Sequence, residues 1–252
     1  ALKMPPKPLE PVPFNVPQAI RTTLDNGLRV VIIPDPRVPL VSYRLAFMSG
    51  DADDLAESFG QTSAMAAMLT EGTQNYTSRA LAEKIERLGA SLSASSSDDF
   101  TIVAASTLAL YSSEILQLVA EIVFKPTFPE NELDLYRRNT VEHLKFQRSQ
   151  ANFLAGEQTA RILYGQHPYS RVSPTADDVE KITSEDLAEL HRKRFVANNA
   201  VLIVIGDVEY DALMKEVHEH FGEWRQGQAE ERQFAGLQPL EARKLTIVDR
   251  PG

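Results

Sequence analysis

The 252-residue chain predicts an α+β fold, with helices covering a sheet made mostly of antiparallel pairs. Three observations carry that expectation. Alternating apolar segments joined by turn residues come in pairs, near the start and again around residue 100. Segments with apolar residues three and four apart fill the stretches between them. The composition, 43% hydrophobic and 24% charged, is that of an ordinary folded chain long enough to bury a core. No internal repeat is visible.

Taken in order, residues 1–18 form a proline-rich arm, with Pro5, Pro6, Pro8, Pro11, Pro13 and Pro17. Proline fixes φ and removes donors, so the arm is expected to be extended and polyproline-like. Residues 20–24 and 28–34 predict a hairpin around Asp25-Asn26-Gly27, because Asn and Gly both tolerate positive φ. The β-branched and aromatic stretch 38–48 predicts a third strand. Residues 51–70 predict one helix, with Leu55, Phe59, Thr62, Ala66 and Leu69 on a single face and Gly72 just beyond its end. Thr77 or Ser78 caps a second helix bearing Leu81, Ile85 and Leu88. Residues 90–96 and 100–108 predict a second hairpin through Ser97-Asp98-Asp99. Residues 110–124 are amphipathic, with Ile115, Leu116, Leu118, Val119 and Ile122 on the apolar face. Beyond Pro126 and Pro129, long helices are expected at 130–148 and 151–164, then a loop at 165–169. A capping-box-like Thr183-Ser184-Glu185-Asp186 opens a helix to Phe195. A buried strand at 201–205, a helix at 211–221 and a last strand at 245–248 complete the pattern.

Composition excludes several classes. With no cysteine, disulfide scaffolds, thiolate zinc clusters and a cysteine nucleophile fall away. A net charge of −9 argues against nucleic acid as a partner. No apolar run is long enough to span a membrane. There is no glycine-rich phosphate loop and no Gly-x-Ser-x-Gly elbow. Among the histidines, His218 and His220 stand at i and i+2, which on a helix point to opposite sides. His191 lies in a basic run near a helix C-terminus, where the dipole favours a cation. His167 reads as a turn or packing residue. Residue chemistry alone therefore yields no active site.

The order of motifs carries more. Thr23-Leu24-Asp25-Asn26-Gly27-Leu28-Arg29-Val30, then Met48-Ser49-Gly50, Gly60, Met68-Leu69-Thr70-Glu71-Gly72-Thr73, Leu88-Gly89-Ala90-Ser91-Leu92, Phe128-Pro129-Glu130 and Tyr164-Gly165-Gln166-His167-Pro168-Tyr169 follow one another from about residue 20 to the end. This succession resembles the pitrilysin/insulinase/mitochondrial processing peptidase family, the inverted zincins. The resemblance implies the fold of the N-terminal domain of processing-peptidase-like metallohydrolases over 19–240. It also implies that 241–252 open a second domain of the same fold. The family's chemistry rests on His-x-x-Glu-His, two histidines one helical turn apart holding zinc and a glutamate acting as general base. A glutamate on the later long helix completes that site.

Counted from Gly60 and Met68-Leu69, the motif's slot falls on 63–67. Ser63 and Ala67 stand where the histidines belong, and Ala66 stands where the base belongs. The distal position falls on Glu142 or His143. The resemblance thus implies a degenerate member with no catalytic residue, no metal ligand and no cofactor, zinc being expected only in a partner subunit. The partners it implies are a catalytic peptidase subunit of the same family and an unfolded peptide, joined in a clam-shell chamber. Two other readings stay open: a structural or binding subunit of a larger assembly, and a metallopeptidase with an atypical site around Glu142 and His143. The first reading expects Ser63→Ala to leave folding and a partner's activity almost unchanged. The proline-rich start resembles mature secreted bacterial members, which points to the periplasm or secretion and leaves the cytoplasm open.

Overall fold

The computed structural model describes residues 17–228, 234, 236–237 and 245–247. Most of the arm expected at 1–18 lies outside them, as does most of 241–252. Six strands, β1 (Ile20–Thr23), β2 (Arg29–Pro34), β3 (Leu40–Phe47), β4 (Ser91–Ser96), β5 (Thr101–Leu108) and β6 (Ala200–Gly206), form one sheet in the order β1-β2-β6-β3-β5-β4. Four of the five pairings are antiparallel, and β2 with β6 is parallel. The α+β expectation of a mostly antiparallel sheet covered by helices holds. The strand read from 201–205 turns out to be central, wedged between β2 and β3.

Alternation along the strands selects the buried face. Val30 and Ile32 of β2, Val41, Tyr43, Leu45 and Phe47 of β3, Val103 of β5, and Leu202 and Val204 of β6 are buried on it. Helices α3 (Ser112–Phe124) and α8 (Tyr210–Phe221) supply the other half of the core with Ile115, Leu116, Val119, Ile122, Leu213, Val217 and Phe221. An aromatic knot closes one end: Phe47 stacks on Phe195 at 3.8 Å, and Trp224 meets Phe47 and Phe124 edge-on. The first hairpin differs in detail from the expected turn. Gly27 alone takes positive φ, and Asn26 instead donates to the carbonyls of Phe221, Gly222 and Trp224. The turn is therefore stapled to the end of α8.

The remaining helices are α1 (Gln61–Met68), α2 (Ser78–Arg87), α4 (Glu130–Arg148), α5 (Ala151–Tyr164), α6 (Ala176–Lys181) and α7 (Ser184–Arg194). Three sequence expectations need correction. The helix read across 51–70 is three pieces: 3-10 turns at Asp51–Asp53 and Ala56–Ser58, then α1. Gly60, at φ 100°, starts α1 in the left-handed region, so no helix runs through it. Helix α6, capped by a Thr175–Asp178 box, was not expected, since six residues are too few for a periodicity. Over Leu245–Ile247 the expected last strand is absent. These residues carry no regular structure, and Leu245 and Ile247 are exposed. Apolar content alone makes no strand without a neighbour to pair with. Val248 lies outside the described residues.

Candidate functional site

The slot helix α1 is anchored at its start by a buried ion pair. Asp54 Oδ2 accepts from the backbone N–H of Gly60 (3.0 Å) and Thr62 (3.1 Å). Asp54 Oδ1 accepts from the Thr62 hydroxyl and from Arg194 Nη1 at 3.0 Å. Arg194 also donates to the Thr62 hydroxyl and to the Asp53 carbonyl, and Arg171 donates to the Asp54 carbonyl. A carboxylate over the first turn of a helix satisfies its free N–H groups and suits its dipole. The Asp54 and Arg194 side chains are 1% and 8% exposed, so this pair is dry. The sequence reading missed it, since 140 residues separate the partners and neither lies in a motif.

On α1, Ser63 and Ala67 lie one turn apart and are half-buried, while Ala66 is fully buried. Ser63 Oγ donates to Asp51 Oδ2 at 2.8 Å. Ser96 Oγ, at the end of β4, donates to Asp51 Oδ1 at 2.7 Å, and the two serine oxygens are 2.9 Å apart. Burial pushes the Asp51 carboxyl above its ordinary value, the two serine hydroxyls oppose that, and Asp54 and Asp98 reinforce it. Tyr136 of α4 faces this group; burial raises its phenol, its bond to Thr140 lowers it, and the Asp51 charge raises it further. The structure brings Asp51 and Ser96, which sequence reasoning did not single out, together with Ser63. The expectation that Ser63→Ala is silent left this bond out, and the substitution would remove a hydrogen bond to a largely buried carboxylate.

The distal candidates lie apart from this group in character. Glu142 and His143 are exposed on α4, and Glu142 is paired with Lys145 at 2.7 Å. Zinc needs three or four nitrogen, sulfur or carboxylate ligands. The slot and its neighbours offer the Asp51 carboxylate, the Ser63 and Ser96 hydroxyls already bonded to it, and the methyl groups of Ala66 and Ala67. These residues do not fit a zinc ion. Among the described residues, no three His, Cys, Asp or Glu side chains gather where they could share a metal.

The other histidines fall as follows. His167 caps a 3-10 turn through Nδ1 and packs edge-on against Tyr169, whose hydroxyl donates to the Asp99 carboxylate. His218 is exposed on α8 and His220 is half-buried. His191 corrects its expectation. It is not a cation at a helix end but a largely buried neutral ring. Its Nε2 donates to the Val123 carbonyl at 2.9 Å, and it lies against Phe195 and Phe128. Burial lowers its pKa to about 4, against the pull of that hydrogen bond and with help from Arg225 and Arg192.

Comparisons with known proteins agree with this architecture. The family model described as Insulinase (Peptidase family M16) matches residues 29–172, and that of the Peptidase M16 inactive domain matches 181–252. An uncharacterized zinc protease of Mycobacterium leprae is 28% identical over 90% of this chain and 49% of its own length. A non-peptidase homolog, YmxG of Helicobacter pylori, is 23% identical over 89% of this chain and 52% of its own. The chain thus spans about half the length of such relatives. Among solved structures, a peptidase M16 inactive domain from Pseudomonas fluorescens superposes with a TM-score of 0.80 at 26% identity, over 86% of this chain and 54% of that one. The periplasmic protease PqqL of Escherichia coli does so at 0.79 and 20% identity, over 87% of this chain and 25% of its own, a likeness of fold.

Proposed function

The chain belongs to the insulinase family, peptidase family M16, and from that premise we propose that it is a non-catalytic half of a peptide-binding chamber, working beside a zinc-bearing chain of the same family. The observation that carries this reading is the slot itself. Ser63, Ala66 and Ala67 supply neither ligands nor a base, on a scaffold otherwise kept whole. The match of 181–252 to the inactive-domain description supports the family's fold, and the relative named a non-peptidase homolog supports a member without catalysis. Strand β4 adds a physical reason. It pairs only with β5 among the described residues, it is rich in serine, and it ends beside the slot. Such an edge suits an extended peptide, which binds by main-chain hydrogen bonds.

Two finer points belong to the same proposal. Residues 241–252 open a second domain of the family fold, which the length of the relatives supports. The protein works outside the bacterial cytoplasm, as the periplasmic PqqL does. Among the described residues, no helix is long and apolar enough to cross a membrane.

The test is to purify the chain, mix it with zinc-bearing family members from its own host, and follow cleavage of unfolded peptides. Association with restored or increased cleavage is expected. No association with any of them overturns the proposal, and association without a change in rate assigns the chain to a structural or binding role instead.

A further inference from the structure

We infer that the Asp51–Ser63–Ser96 bridge is a metal-independent strut that fixes the slot end of edge strand β4 to helix α1. The inference concerns the fold around the slot and stands whether or not a catalytic partner exists. Three elements that are distant in sequence meet at one carboxylate. Asp51 belongs to a 3-10 turn, Ser63 to α1 and Ser96 to β4, and each serine donates to a different oxygen of the same group.

The turn that carries Asp51 is itself held against the β4–β5 connection. Asp51 N–H donates to the Ser97 carbonyl and Ala52 N–H to the Asp98 carbonyl, both at 2.9 Å. The Thr101 hydroxyl donates to the Ser49 carbonyl, also at 2.9 Å. The carboxylate is therefore fixed from behind and reaches forward to α1 through Ser63. Helix α1 is in turn fixed at its other contact by Asp54 and Arg194. Strand β4 has no strand on its outer side among the described residues, so this bridge holds an end that a one-sided ladder leaves weakly held. A metal bound between two helices would draw its ligands together at this place. Here hydroxyl-to-carboxylate bonds make the tie, and they leave the slot's oxygen donors occupied.

Hydrogen exchange of the β4 and α1 amides tests the strut, read on the folded chain with and without EDTA. A hydrogen bond to a charged group is worth a factor of about ten or more in an opening equilibrium. Ser63→Ala and Ser96→Ala are each expected to speed exchange at the slot end of β4 by about tenfold. The double variant should exceed either single, because the backbone bonds of Asp51 and Ala52 to Ser97 and Asp98 keep Ser63 tied to this end when the Ser96 bond alone is lost. Ser96→Thr keeps the hydroxyl and is expected to restore protection. Ser91→Ala, which breaks only the Ser91–Ser106 hydroxyl pair on the same strand, should leave α1 unaffected. EDTA should change nothing in the wild-type chain. The inference is overturned if both single variants exchange like wild type, if Ser96→Thr fails to rescue, or if EDTA alone loosens β4. None of these readings depends on peptide cleavage, so the strut and the proposed function fail separately.

Discussion

His191 shows how one ring can be misplaced by its neighbours in sequence. The run His191-Arg192-Lys193-Arg194 reads as a cationic helix end, but Val123, Phe128 and Phe195 enclose the ring. Its folded pKa, about 4, lies below the ordinary 6.5. Between those values the unfolded chain binds more protons than the folded one, so stability rises with pH there. The contribution is complete above about pH 6.5 and is lost as pH falls through 4, on the order of 3 kcal/mol in all. Urea unfolding from pH 4 to 7 should show this slope, and His191→Gln should flatten it; an NMR titration of the ring near 6.5 would contradict it. At the slot, Ala66 has no exposed surface. Ala66→Glu should cost about 3 kcal/mol or more, because it buries a carboxylate without a partner. Thermal unfolding of that variant checks it. Motif spacing singled out Ser63, Ala66 and Ala67, whereas nothing in the sequence singled out Asp51 and Ser96, since Asp and Ser codes do not announce a tertiary bridge.

At the level of elements, the long helices were read almost to the residue, because α3, α4, α5 and α7 carry periodic apolar faces or clear caps. The slot region was not. Helical spacing across 51–70 is real, yet Gly60 and the demand of Asp54 for donors divide it. That division makes the start of α1 depend on a charge pair far from water. Removing one partner leaves the other buried and uncompensated, so Asp54→Ala or Arg194→Met should each cost about 3–5 kcal/mol. The double variant should cost markedly less than the sum, as expected for residues that share one network. Chemical denaturation of the four chains completes the cycle, and additive losses would show that the two residues act separately. Among the described residues Arg194 Nε finds no acceptor, a desolvation cost that Arg194→Met removes, so that variant should fall at the lower end of the range.

For the whole molecule, the sequence yielded the strands but not their order. A segment of alternating Val, Ile and Leu at 200–206 announces a strand without saying which neighbours it separates. In the folded protein it parts β2 from β3 and pairs with both along its length. A fragment ending at residue 199 should therefore lack a continuous sheet, with β1-β2 parted from β3-β5-β4, and circular dichroism should show no cooperative melt; a cooperative transition like that of the full chain would contradict the topology. The same arrangement sets a clock on biosynthesis. Strands β2 and β3 leave the ribosome early and face no common partner until Ala200 follows. At roughly 5–20 residues per second, that interval lasts on the order of 10–30 s. Throughout it, Val30, Ile32, Leu45 and Phe47 have no β6 to close the layer between them. The period of greatest exposure to aggregation, and of greatest need for a chaperone, is thus fixed by where in the chain β6 is encoded.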